Sequence, residues 1–86
     1  MRGIYAEQYK EIGSKIAFYR QLRGLTQQNL ADKTDYSLSY ITKIEAPNSK
    51  SSFSLDVIFK VADALDVDPA AFFNQIEIEN KYLKKK

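Results

Sequence analysis

At 86 residues the chain is of single-domain length, under the roughly 100–200 residues a domain usually takes, which excludes a two-domain architecture. Hydrophobic residues at 44% and charged ones at 28% give the balance of a folded globular domain, not of a disordered tail or a membrane segment. The formal charge is only +2, and the lack of Cys and His excludes disulfides, thiolate or imidazole metal sites and imidazole acid–base chemistry, so no metal and no cofactor is expected.

The opening Met1–Glu7 turns polar at once and holds no apolar stretch of signal-peptide length, and nothing approaches the ~20 apolar residues of a membrane span. The expected location is cytoplasmic, with no membrane partner. Charge is unevenly spread. Residues 1–50 carry eight Lys or Arg against five Asp or Glu, residues 51–80 carry Lys60 against six acids, and four lysines follow in 81–86. Such a polarised chain can orient itself in the field of a polyanion, while its small net charge argues against tight non-specific binding.

Tyr5, Tyr9, Ile12, Ile16 and Tyr19 recur at helical spacing and predict a first helix running to about Arg23. Gly24 can take positive φ and close it, with Arg20 and Arg23 in the last turn. Thr26 is the predicted N-cap of a short second helix that ends near Thr34-Asp35, where Asp tolerates the left-handed conformation. Ser37 caps a third helix with Ile41 and Ile44 inward, stopped by Pro47. A polar stretch, 47–52, then leads to a fourth helix from Ser54 whose predicted buried face is Leu55, Ile58, Phe59, Ala62 and Leu65. Asp68 and Pro69 open a fifth helix through Phe72 and Phe73. Ile76-Glu77-Ile78-Glu79 reads as a short strand or as a continuation of helix five. The fold class is therefore all-α with five helices, with a domain over 1–75 and a basic tail over 76–86.

Two short helices joined by a three- or four-residue turn form a helix-turn-helix unit. The pattern Ile12-Gly13, Ile16, Arg20, Gly24-Leu25-Thr26-Gln27, Leu30-Ala31, Ser37, Tyr40-Ile41, Lys43-Ile44-Glu45, Leu55, Ile58, Ala62, Leu65, Val67 resembles the Xre/Cro-like family of bacterial and phage helix-turn-helix repressors over about residues 11–73. The resemblance implies a sequence-specific regulator of transcription that binds double-stranded DNA as a homodimer on a palindromic operator. It places Leu38, Ser39, Thr42 and Lys43 at base-contacting positions and Gln27 at a phosphate-holding one. Thr26 at the same helix N-terminus, Ser37, Tyr40 and Lys50 are the further phosphate candidates. Lys43 suits guanine O6 and N7, and Thr42 and Leu38 suit a thymine methyl.

The resemblance also pairs Arg20 with Glu45 across helices one and three, a guanidinium–carboxylate fork that would lock helix three to its scaffold. The chain departs from the family at Leu38, where many members have Arg or Gln, and at Ala46-Pro47, which replaces a common Arg-Gly or Asn-Gly. Both changes remove donors. Phe53 replaces a frequent Pro and is expected to bury against helix three. Phe72, Phe73, Ile76 and Ile78 exceed what the domain needs to cover itself and form the predicted dimerisation surface. The Lys81–Lys86 tail is either a solvated end or a track for phosphates.

A second reading keeps the fold and changes the partner: a protein-interaction module, such as the antitoxin of a toxin–antitoxin pair, or a regulator without base readout. The thinned donor set and the apolar C-terminal residues support it. An enzyme has least support, because Asp63 and Asp66 read as a solvated acidic helix face and three glycines form no phosphate loop.

Overall fold

The computed structural model describes residues 2–48 and 52–74. It contains a 3₁₀ turn, Arg2–Tyr5, followed by α1 (Ala6–Leu22), α2 (Gln27–Thr34), α3 (Leu38–Glu45) and α4 (Leu55–Leu65), and a second 3₁₀ turn, Pro69–Phe72. No strand occurs among the described residues, so the all-α class is correct. The expected fifth α-helix is instead the single turn Pro69–Phe72, opened as predicted by the Asp68 side chain, which accepts from the Ala70 amide at 2.9 Å. Residues 76–86, with Ile76, Ile78 and the lysine tail, lie outside the described residues, as does Lys50.

Each link between helices is set by a residue suited to it. Gly24 sits at φ 75°, and its N–H reaches the Gln21 carbonyl while the Leu25 N–H reaches that of Arg20, satisfying the last carbonyls of α1. Asp35 ends α2 in the left-handed region at φ 64°. Thr26 and Asn29 form a reciprocal cap on α2, side chain to backbone in both directions at 3.0 and 2.9 Å. The Ser37 hydroxyl accepts from the Tyr40 amide at 3.0 Å and opens α3. Asp66 closes α4 at φ 58°, a left-handed C-cap of the same kind as Asp35.

The core joins Ile16 of α1, Leu30 and Ala31 of α2, Ile41 and Ile44 of α3, five residues of α4 and Phe72. Helix α1 packs on α3 and α4, and α2 packs on the same two. The buried face of α4 is Val57, Ile58, Val61, Ala62 and Leu65. This corrects the expectation for Leu55 and Phe59, which are 61% and 53% exposed. Helix α4 is apolar around most of its circumference, so two helical stripes overlap in its sequence, and the inner one is centred on the valines. Phe72 is fully buried, with its ring 6.1 Å from that of Tyr19, and is unavailable to a dimer partner. Phe53 meets α1, with its ring edge-to-face with Tyr9 at 5.1 Å, so its expected packing on α3 gives way to an aromatic pair.

The backbones of α1 and α3 come close at Gly13, where a Cβ would overlap the Ile44 carbonyl oxygen. Glycine is required there by space, not by dihedral freedom. Gly13→Ala is expected to push the two helices apart at a cost of about 1–3 kcal/mol, read as a lower urea midpoint with an unchanged slope.

Candidate nucleic-acid interface

Helices α2 and α3 are joined by three residues, Asp35–Ser37, and form the helix-turn-helix pair. On α3 the pattern is two-sided. Ile41 and Ile44 are buried, whereas Leu38, Ser39, Thr42 and Lys43, which share one face by their spacing, are all exposed. The four expected base-contacting side chains are thus brought together on one solvent-facing strip. Ser37 and Tyr40 lie at the N-terminal end of the same helix, Tyr40 half-buried. Thr26 and Gln27 lie at the start of α2, where the unpaired amides and the positive end of the helix dipole suit an anion.

The strip is held from behind by a polar network. Arg20 Nε donates to Glu45 Oε2 at 2.8 Å and Nη2 donates to Oε1 at 3.0 Å, a bidentate fork between side chains only 9% and 4% exposed. The remaining Arg20 nitrogen, Nη1, donates to the Leu25 carbonyl in the α1–α2 link at 2.7 Å. Glu45 Oε1 also accepts from Gln27 Nε2 at 2.9 Å, and Gln27 Oε1 accepts from the Thr42 hydroxyl at 3.3 Å. One network therefore ties α1, the turn after it, α2 and α3 together. No buried side-chain polar atom lacks a partner among the described residues.

Aromatic packing supports the other end of α3. The Tyr36 and Tyr40 rings meet edge-to-face at 5.1 Å, and Lys60 Nζ stands 5.0 Å over the Tyr36 ring. Burial, with a smaller contribution from Tyr36, pushes the Tyr40 phenol above its usual value, so it is a neutral hydroxyl at physiological pH.

Three features escaped the sequence. The side chain of Gln27 is engaged inward by Glu45 and Thr42, a partnership across two helices that no local spacing reveals. Arg23, read only as a charge near the end of α1, donates to the Leu65 carbonyl at 2.7 Å and to that of Asp66 at 2.6 Å, capping α4 from a distance. Leu55 and Phe59 join the expected Phe73 as exposed apolar side chains, and a groove of about 270 Å³ lined by Tyr9, Ile12, Phe53, Leu55, Ile58 and Phe73 runs beside them. The overlapping apolar stripes of α4 were the available signal for Leu55 and Phe59.

A helix-turn-helix family model matches residues 16–72. Among solved structures, the restriction-modification controller protein C.AhdI from Aeromonas hydrophila is similar at 30% identity and a TM-score of 0.71, over 78% of this chain and 98% of that one. A point mutant of the restriction-modification controller protein C.Esp1396I aligns at 23% identity and a TM-score of 0.68, over 77% of this chain and 85% of the other. The nucleoprotein complex of C.Esp1396I aligns at 24% and 0.68, over 77% and 83%, and these last two likenesses speak for the fold. No curated protein matches the chain in sequence.

The matched fold and the exposed strip on its second motif helix define a helix-turn-helix protein of the Xre/Cro-like class, whose members are DNA-binding regulators of transcription. The chain belongs to the helix-turn-helix family.

Because both partners of the ion pair are buried, removing either leaves an uncompensated charge. Glu45→Ala and Arg20→Ala are each expected to cost about 3–5 kcal/mol. The double substitution should cost clearly less than their sum, as a double-mutant cycle in urea would show.

Proposed function

We propose that the chain is a sequence-specific transcriptional regulator, a repressor acting as a homodimer on a palindromic operator. The observation that carries this reading is the exposed strip of Leu38, Ser39, Thr42 and Lys43 on a helix whose opposite face is locked to the core. A helix presented in this way suits the major groove, with Lys43 directed to guanine and Leu38 and Thr42 to thymine methyls. Thr26, Gln27, Ser37 and Tyr40 flank the strip and are assigned to phosphates. The Thr26 and Ser37 hydroxyls accept from their own helix amides and retain a hydrogen to donate. Lys50 is assigned to a phosphate by sequence position alone. The controller proteins that the chain resembles, one of them described in a nucleoprotein complex, support the same reading.

For the dimer we assign Leu55, Phe59 and Phe73, which are 61%, 53% and 56% exposed, in place of the buried Phe72. Ile76 and Ile78 remain with this surface as a proposal from sequence. Two-fold symmetry then sets half-sites about 10 bp apart, one turn of DNA. The same apolar side chains favour the second reading, a protein-interaction module such as an antitoxin, if the surface takes a different protein.

Selection from a randomised duplex pool near physiological salt should enrich a two-fold-symmetric motif. Lys43→Ala should weaken binding to it by roughly 10–100-fold through one base position, equivalent to about 1–3 kcal/mol. Salt-sensitive binding with no motif would instead favour the interaction module. Leu55→Glu with Phe73→Glu is expected to give a monomer in sedimentation velocity that no longer selects paired half-sites.

A further inference from the structure

We propose that Gln27 is a positioning residue for Thr42, holding the threonine so that its methyl branch, not its hydroxyl, reads the DNA, and that the base read there is thymine. This rests on the assignment of α3 to the major groove and deepens it.

The argument runs outward from the ion pair. Glu45 is gripped at both oxygens by Arg20 and, as an ionised carboxylate, only accepts. The group of Gln27 that faces it at 2.9 Å must therefore be the NH₂, because turning the amide over would set oxygen against oxygen. With the nitrogen committed to Glu45, Gln27 Oε1 is left to accept, and the Thr42 hydroxyl 3.3 Å away must donate its single hydrogen to it. Each orientation in the chain Arg20, Glu45, Gln27, Thr42 thus follows from the one before.

The consequence for Thr42 is chemical. A threonine in a helix divides between two χ1 rotamers, one of which lets the hydroxyl bond a carbonyl of its own helix. The bond to Gln27 favours the rotamer in which the Oγ1 hydrogen is committed inward, which leaves the Cγ2 methyl as the other branch. Thr42 is exposed, on the strip with Leu38, Ser39 and Lys43. A free methyl on a major-groove helix makes apolar contact with the 5-methyl of thymine. The hydroxyl, having donated inward, cannot also donate to guanine O6 or thymine O4. The amide keeps its second hydrogen, so a phosphate contact by Gln27 does not compete with this role.

The test compares thymine with deoxyuridine, which lacks only the methyl group. The operator is first obtained by pool selection with the full chain, and each thymine of one half-site is then replaced in turn by deoxyuridine. Wild-type protein is expected to lose about four-fold in affinity at one thymine, the worth of one buried methyl. At that position the thymine-to-deoxyuridine ratio should fall toward one in Thr42→Ser, which has no methyl, and in Gln27→Met, which keeps the length but neither hydrogen bond. Thr42→Val carries methyls on both branches, so adding it to Gln27→Met should restore the ratio. The ratio is internal to each variant and is unaffected by any loss of folded protein. Full thymine preference in Gln27→Met, with uniformly weaker binding across all sequences, would overturn the proposal and leave Gln27 a phosphate clamp. A selected motif in which no thymine depends on its methyl would also overturn it while sparing the DNA reading, whereas failure to select any motif would overturn both.

Discussion

The bidentate pair between Arg20 and Glu45 is the constraint on which the placement of α3, the second helix of the motif, depends. Two desolvated charges contribute little net stability, since an apolar pair of similar volume often serves as well, but a planar fork admits only one relative orientation of its partners. Arg20 lies two residues before the end of α1 and Glu45 is the last residue of α3, so the fork pins the C-terminal ends of both helices. Its third donor holds the Leu25 carbonyl, and the carboxylate also takes the Gln27 amide from α2. The rotation of α3 about its own axis is thereby fixed, with Ile41 and Ile44 inward and the strip from Leu38 to Lys43 outward.

That geometry needs α1 and α3 to come close, and Gly13 permits it by offering no side chain against the Ile44 carbonyl. The remaining constraints are met by single residues at chain reversals. Gly24, Asp35 and Asp66 all take left-handed backbone conformations, the two aspartates at an energetic cost that an L-residue with a short polar side chain tolerates. Arg23 then offsets the exposed carbonyls where Asp66 ends α4. Phe72 seals the core against Tyr19, so a segment too short to be an α-helix still contributes one of the largest fully buried side chains.

Local physical chemistry was legible in the sequence, and relations across the fold were not. The caps at Thr26, Ser37 and Asp68, the reversal at Gly24 and the left-handed Asp35 each depend on neighbours a few residues away, and spacing alone located them. The Arg20–Glu45 pair became readable through family resemblance, because 25 residues separate its members. The face of α4 was misread where the sequence is apolar on nearly every side: Leu55 and Val57 have equal claims to the core until a neighbouring helix chooses between them. Phe72 and Phe73 are adjacent and chemically identical, yet one is buried and the other 56% exposed, a difference set by where a single 3₁₀ turn ends. The inward bond of Gln27 was invisible because it depends on Glu45 being immobilised first.

The departures at Leu38, Ala46 and Pro47 bear on how the proposed parts fit together. They remove hydrogen-bond donors from the reading helix and its exit, so a single half-site would be held by apolar contacts to thymine, by Lys43 and by a few phosphate donors. A methyl contact is worth less than a bidentate hydrogen-bonded pair. Weak half-site binding becomes tight operator binding only when two copies are linked, because the second contact is then made at high effective concentration. The exposed apolar residues of α4 and Phe73 and the donor-poor face of α3 are thus complementary features of one proposed design: association between copies supplies affinity that the recognition helix alone would lack, and a regulator so built would respond steeply to its own concentration.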